Sequence, residues 1–211
     1  MTDPLGSQGV PGAPGAMLVI ISGPSGVGKD AVIDALRRRD SAHDYHYVVT
    51  CTTRPRRPGE IDGASYHFLD VDRFVALRDT GELLEANEVH GNWYGTPRAQ
   101  VRDALVAGRD VILKIDVQGA QEVKENVSEA VLIFIVPPSL ESLFQRLKSR
   151  ATETADELEI RQRNAAIELA RQEDYDYIVE NRDGEVEATA DRIERILADE
   201  RVRRPDRQVV V

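Results

Sequence analysis

The run LVIISGPSGVGKD, residues 18–30, constrains the fold more than any other stretch of the chain. LVIIS is a short continuous apolar run, as expected of a strand buried on both faces. Gly23, Gly26 and Gly28 let the following backbone turn tightly with its N–H groups pointing inward. The residues after it, DAVIDALRRR (30–39), place Ala31, Val32, Ala35 and Leu36 on one helical face. A helix whose N-terminus faces a ring of amides is an anion site. Lys29 adds a cation that can reach the β- and γ-phosphates of a nucleotide. Gly23, Ser25, Gly26, Val27, Gly28, Lys29 and Asp30 together form the candidate donor loop.

The usual form of this loop, G-x-x-x-x-G-K-[ST], ends on a hydroxyl, and here the last position is Asp30. A carboxylate is a hard-oxygen ligand suited to Mg²⁺. It also brings a negative charge toward the phosphates, a repulsion of about 4 kcal/mol at ~4 Å and an effective dielectric near 20. Two readings follow. Asp30 holds Mg²⁺ or its water shell and makes the protein steeply magnesium-dependent, or it only complements the positive end of the helix.

Further buried runs are HYVVTC (46–51), VILKI (111–115), VLIFIV (131–136) and YIVE (177–180). Helical periodicity covers 97–107, 139–150, 156–172 and 185–200. Strands alternating with helices predict an α/β fold with a parallel sheet covered on both faces. Residues 52–96 and 138–164 interrupt the alternation and read as insertions carrying mobile binding parts. The Gly- and Pro-rich residues 1–16 read as a disordered tail and 201–211 as a frayed end.

The 211 residues suit one domain with insertions, and a formal net charge of −10 opposes a nucleic-acid partner bound by bulk attraction. The single cysteine, Cys51, forms no internal disulfide and suits a reducing cytoplasm. No apolar run approaches the length of a membrane span, and residues 1–16 lack the regions of a signal peptide.

The first insertion carries TTRPRRPGEIDGASYHF (52–68), with Arg54, Arg56, Arg57 and Tyr66 close together. Forked guanidinium groups clamp phosphate and a phenol adds a neutral donor. GNWYGTP (91–97) supplies Tyr94 and Thr96, and GELLEANEVHG (81–91) places Glu85 and Glu88 on an otherwise apolar stretch. Arginines, tyrosines and an isolated glutamate together suit a purine nucleoside monophosphate.

The ordered blocks GPSGVGK, TTRPRRPGE, DGASYHF, LLE, GNWYGTP, IDVQGAQ, IVPPS and RLKSRATET resemble guanylate kinase from about residue 17 to 197. The resemblance implies a three-layer P-loop kinase core (17–49, 98–137 and 165–200), a GMP-binding insertion (50–97) and a helical lid (138–164). It implies ATP and GMP as substrates, with dGMP left open, Mg²⁺ as cofactor, and a cytoplasmic enzyme of purine metabolism. Arg54, Arg57, Tyr66 and Tyr94 match the residues that hold the GMP phosphate, and Glu85 the carboxylate that reads guanine. Thr50 and Thr96 match hydroxyls near the base, and Asp116 belongs to the same site and, through a water, to the metal. Arg146, Arg150 and Arg161 match lid arginines that reach the phosphates on closure, and Asn181 a position near adenine. Guanine offers N1–H and N2–H₂ side by side to one carboxylate, whereas adenine offers a bare acceptor.

The chain departs from the family a second time at Lys114, where many relatives are acidic. Lys114 either compensates Asp30 or points away toward a surface acid. Two other functions compete: a non-catalytic guanylate-kinase-like module binding phosphopeptides, and a ribose bisphosphate kinase. Lys29, Arg150 and Arg161 weigh against the first, and the guanine-reading residues against the second.

Overall fold

The computed structural model of the protein describes residues 9–39, 44–89, 91–149 and 155–211, with backbone alone at 149 and 155–158. Along the first half run β1 (Leu18–Ser22), α1 (Lys29–Arg39), β2 (His46–Tyr47), β3 (Cys51–Thr52), β4 (His67–Phe68), α2 (Val71–Asp79), β5 (Leu83–Val89) and β6 (Asn92–Pro97). The second half adds α3 (Arg98–Val106), β7 (Val111–Lys114), α4 (Val117–Asn126), β8 (Val131–Val136), α5 (Leu140–Ser149), α6 (Ala155–Leu169), β9 (Tyr177–Glu180) and α7 (Val186–Arg203).

Five strands form a wholly parallel sheet in the order β2-β7-β1-β8-β9. β1 lies at its centre, and Leu18, Val19, Ile20 and Ile21 are completely buried. Alternate residues of that strand feed two different cores. Val19 and Ile21 pack with Val32, Leu36, Ile193 and Leu197 beneath α1 and α7. Leu18 and Ile20 pack with Val101, Leu105, Ala120 and Val123 beneath α3 and α4. Each such side chain contributes roughly 1.5–3 kcal/mol through burial. That is why the run shows no polar alternation.

Residues 51–97 build a second, mixed sheet in the order β4-β3-β6-β5. HYVVTC is therefore not one strand. His46 and Tyr47 pair with β7 in the first sheet, and Cys51 and Thr52 pair with β4 and β6 in the second. Residues 48–50 cross between the sheets. Helix α4 was not visible in the periodicity, because its buried face is partly made of Gly119 and Ala120.

Both ends differ from the expectation of loose tails, as far as they are described. Val10 N–H donates to the Val211 carbonyl at 3.1 Å, Gly12 to Val209 at 2.7 Å and Gly15 to Arg207 at 2.9 Å. Val209 is fully buried and Arg207 nearly so, paired with Glu200. The N-terminal residues 9–16 and the last five residues thus order each other. Composition cannot reveal this, because each segment gets its hydrogen-bond partners from the far end of the chain.

Candidate active site

Strand β1 ends in the centre of the sheet and the loop 23–28 delivers the chain into α1. Gly28 has φ +99°, and a Cβ there would sit 2.6 Å from Asn181 Nδ2, so both the turn and the close approach require glycine. Asn181, buried after β9, donates from Nδ2 to the Val27 carbonyl at 2.8 Å and accepts from Thr189 Oγ1 at 3.0 Å. Lys29 Nζ folds back over the loop and donates to the carbonyls of Gly23 and Pro24. Burial lowers the Lys29 pKa, opposed by the carboxylates of Glu168 and Asp30.

The helical segments after β8 touch this loop. Arg161 on α6 donates to Ser25 Oγ at 3.3 Å, and Glu168 on the same helix accepts from the Ser25 N–H at 3.0 Å. Arg146 behaves differently from the expectation of a phosphate-facing lid arginine. Its guanidinium bonds Asp183 (2.8 Å), the Val27 carbonyl (3.1 Å) and the Asn181 carbonyl (2.9 Å), which ties α5 to the back of the loop. Arg150 lies outside the described residues.

On the second sheet, Arg54, Tyr66 and Tyr94 meet. The Arg54 guanidinium lies 5.6 Å from the Tyr66 ring centre, and the Tyr66 and Tyr94 rings meet edge to face at 6.1 Å. Arg54 also bonds Glu60 at 2.7 Å, and Glu60 accepts the Arg57 N–H at 2.7 Å. Glu60 is thereby an organiser of the basic turn. Arg57 itself is exposed.

The register of β5 against β6 slips between Leu83 and Ala86. Such a bulge re-aims side chains, and here Leu83, Leu84 and Glu85 are all buried in succession. Leu84 fills the main core while the Glu85 carboxylate faces α4. Thr96 Oγ1, fully buried, donates to Glu85 Oε1 at 2.7 Å, and Asn87 Nδ2 donates to Oε2 at 3.1 Å. Burial pushes the Glu85 carboxyl up to about 7, against the pull of the Thr96 and Asn87 hydrogen bonds. Asn87 is in turn held by Glu122 at 2.8 Å, which also accepts the Ala86 N–H at 3.2 Å. Asp116 caps α4 by accepting the Gly119 N–H at 2.9 Å. A Cβ on Gly119 would come within 2.8 Å of Glu85 Oε2, so a side chain at this position would crowd the carboxylate.

Between loop and insertion lies a cavity of about 360 Å³ lined by Asp30, Arg37, Tyr47, Thr50, Glu60 and Lys114, among others. Here the two departures from the family pattern meet: Lys114 Nζ forms an ion pair with Asp30 Oδ1. Lys114 therefore faces the loop rather than a surface acid elsewhere. Its ammonium also lies 5.5 Å from the Tyr66 ring centre.

The structure thus brings Lys29, Asp30, Ser25, Asn181 and Arg161 to one loop. It gathers Arg54, Tyr66 and Tyr94 on the second sheet, and buries Glu85 against Thr96 and α4. Glu60, Asn87, Glu122 and Glu168 went unrecognised in the sequence. They act on other side chains or on backbone, and only Glu60, within RRPGE, belongs to a recognisable block.

Residues 15–200 match the sequence model of the family described as guanylate kinase. The guanylate kinase of Halalkalibacterium halodurans is 44% identical over 188 residues, covering 89% of this chain and 90% of that protein. Guanylate kinase 2, chloroplastic/mitochondrial, of Oryza sativa subsp. japonica is 41% identical over 191 residues, covering 90% of this chain and 66% of that longer protein. Among solved structures, guanylate kinase from Anaplasma phagocytophilum aligns with a TM-score of 0.70 at 36% identity, covering 89% of this chain and 86% of that one.

Proposed function

The chain belongs to the guanylate kinase family, and on that premise we propose that it transfers the γ-phosphoryl group of ATP to GMP, giving ADP and GDP. The observation that carries the reading is the buried Glu85 carboxylate, clasped by Thr96 on the same small sheet that presents Arg54, Tyr66 and Tyr94. A base-reading group and a phosphate-holding group on one sheet suit a purine monophosphate.

In this reading residues 50–97 bind the acceptor and 138–164 form the lid. Arg54, with Tyr66 and Tyr94, holds the acceptor phosphate, Arg57 joins it on closure, and Glu85 accepts N1–H and N2–H of guanine. Thr50 lines the neighbouring cavity. The loop amides and Lys29 hold the donor's phosphates, and Arg161 turns from Ser25 to the transferring group. Asn181 and Arg146 keep the loop backbone in shape. Phosphoryl transfer needs positioning and positive charge more than proton transfer, because the attacking phosphate oxygen is already ionised. Closure excludes water and limits hydrolysis of ATP.

Mg²⁺ is the metal the family implies. Such a cation takes one or two carboxylates, substrate phosphates and waters. The donor set fits: Asp30 offers a largely exposed carboxylate beside Lys29. Among the described residues no cluster of three His, Cys, Asp or Glu could hold a metal alone, so the phosphates must supply the remaining ligands. Asp30 would hold the ion directly and Asp116 through a water, and when bound it would neutralise phosphate charge. A cytoplasmic setting agrees with the buried free thiol of Cys51, whose pKa burial raises to about 11. No helix among the described residues is long and apolar enough to cross a membrane.

The test is ADP release from ATP with GMP, AMP, CMP or UMP as acceptor, with and without Mg²⁺. GMP is expected to exceed AMP by on the order of 10³-fold in kcat/KM, since a site built around hydrogen bonds rejects analogues lacking them. Comparable turnover of all four would overturn the assignment.

A further inference from the structure

We propose that Lys114, aimed by its ion pair with Asp30, is an additional ligand for the phosphate of the acceptor nucleotide. This rests on the acceptor site proposed above and adds a group to it.

Lys114 is the last residue of β7, hydrogen-bonded in register beside Ile21 of β1, so its backbone is fixed at the edge of the donor loop. The side chain runs from there toward the small sheet, with about a quarter of its surface exposed. Its ammonium has Asp30 on one side and the Tyr66 ring, 5.5 Å away, on the other. Tyr66 in turn meets Arg54 and Tyr94. A phosphate held by that cluster therefore lies within reach of a second cation, one anchored to the core rather than to the insertion.

The electrostatics agree with this placement. Burial would lower the Lys114 pKa, but Tyr66 and Asp30 outweigh it and keep the ammonium charged. Burial raises the Tyr66 phenol, and Lys114 pulls it back, as expected of two groups facing each other. An ammonium is a compact charge on a flexible stem and can move from carboxylate to phosphate without unfolding anything. An acid at this strand end would repel the same phosphate. Here the acid stands at position 30 and the cation at the strand end, so the pair is neutral overall while the acceptor phosphate gains one more partner.

The role predicts a dependence on the phosphate and not on the base. Calorimetric titration of GMP and, separately, guanosine, in magnesium-free buffer, is carried out on wild type, Lys114→Met, Lys114→Arg and Asp30→Asn. Lys114→Met is expected to weaken GMP about tenfold, the size of one charge-assisted contact, and to leave guanosine within about twofold by the same reasoning. Lys114→Arg should keep most of the GMP affinity, and Asp30→Asn should lose an intermediate amount because the ammonium is no longer aimed. Should Lys114→Met not fold, Lys114→Gln replaces it in the same comparison. Equal losses for GMP and guanosine would assign Lys114 a packing role and overturn the proposal, as would unchanged GMP affinity. Wild type that fails to bind GMP would instead remove the functional reading itself, and the inference with it.

Discussion

The proposed donor loop and the proposed acceptor site would solve the same problem, holding phosphate, in opposite ways. The loop is contiguous: eight neighbouring residues, GPSGVGKD, place amides, a lysine and a helix terminus at one point. The acceptor site is assembled from residues as far apart as Arg54 and Thr96, gathered by a sheet whose register slips at Glu85. A contiguous site keeps its geometry through local backbone conformation, and glycine is its weak point. An assembled site keeps its geometry through pairing and burial, and its weak point is whatever packs behind the functional group.

Substitutions at three residues would break or sharpen that contrast. The largest effect is expected on the donor side. Lys29→Met should lower kcat by about 10²–10³ for every acceptor alike, as for removal of one preorganised charge donor; a loss confined to GMP would merge the two sites. Next, Glu85→Gln should reduce kcat/KM for GMP by on the order of 10²-fold while leaving the KM for ATP within about threefold. Equal damage to both would refute its base-reading role.

The same residue carries a pH signature. Its carboxyl is raised to about 7 by burial, so the ionised form proposed to accept from guanine is lost as pH falls through that value, and the KM for GMP should climb below it. Folding stability runs the other way. A raised carboxylate contributes fully below its ordinary value of 4.5 and costs stability as pH rises toward about 7. The cost is roughly 3 kcal/mol at the upper limit, so Glu85→Gln should melt at a higher temperature than wild type at pH 8. The smallest effect is expected from Gly119→Ala. Its methyl would stand 2.8 Å from Glu85 Oε2 and should raise the KM for GMP about tenfold, the equivalent of about 1.4 kcal/mol. Activity equal to wild type would show that α4 yields easily.

The contrast also explains what could be read in advance. LVIIS and VLIFIV are strands where the apolar runs lie, because a strand buried on both faces writes its whole length in apolar residues; YIVE is also a strand, but it lies at the sheet edge with only Val179 buried. The loop and its lysine are visible because spacing in sequence is spacing in space. Residue types alone group the acceptor residues as suited to a purine monophosphate, but their separate roles come from the resemblance, since nothing local links Glu85 to Thr96. Asn87 and Glu122 were missed because their partners are 35 residues apart. Arg146 shows the limit of helical spacing. Lying on α5 identifies its neighbours along the helix, but not that Val27, Asn181 and Asp183 would take its guanidinium. The Asp30–Lys114 pair could be framed as two compensating charges, and the fold supplied the contact.

The pairing of residues 10–15 with 207–211 has a mechanical consequence. Because the two segments run antiparallel and the chain's described ends meet at Val10 and Val211, a pull applied between them loads the ladder one bond at a time. Under tension the protein should therefore unzip at this seam before the parallel sheet, whose strands must shear together, bears any load.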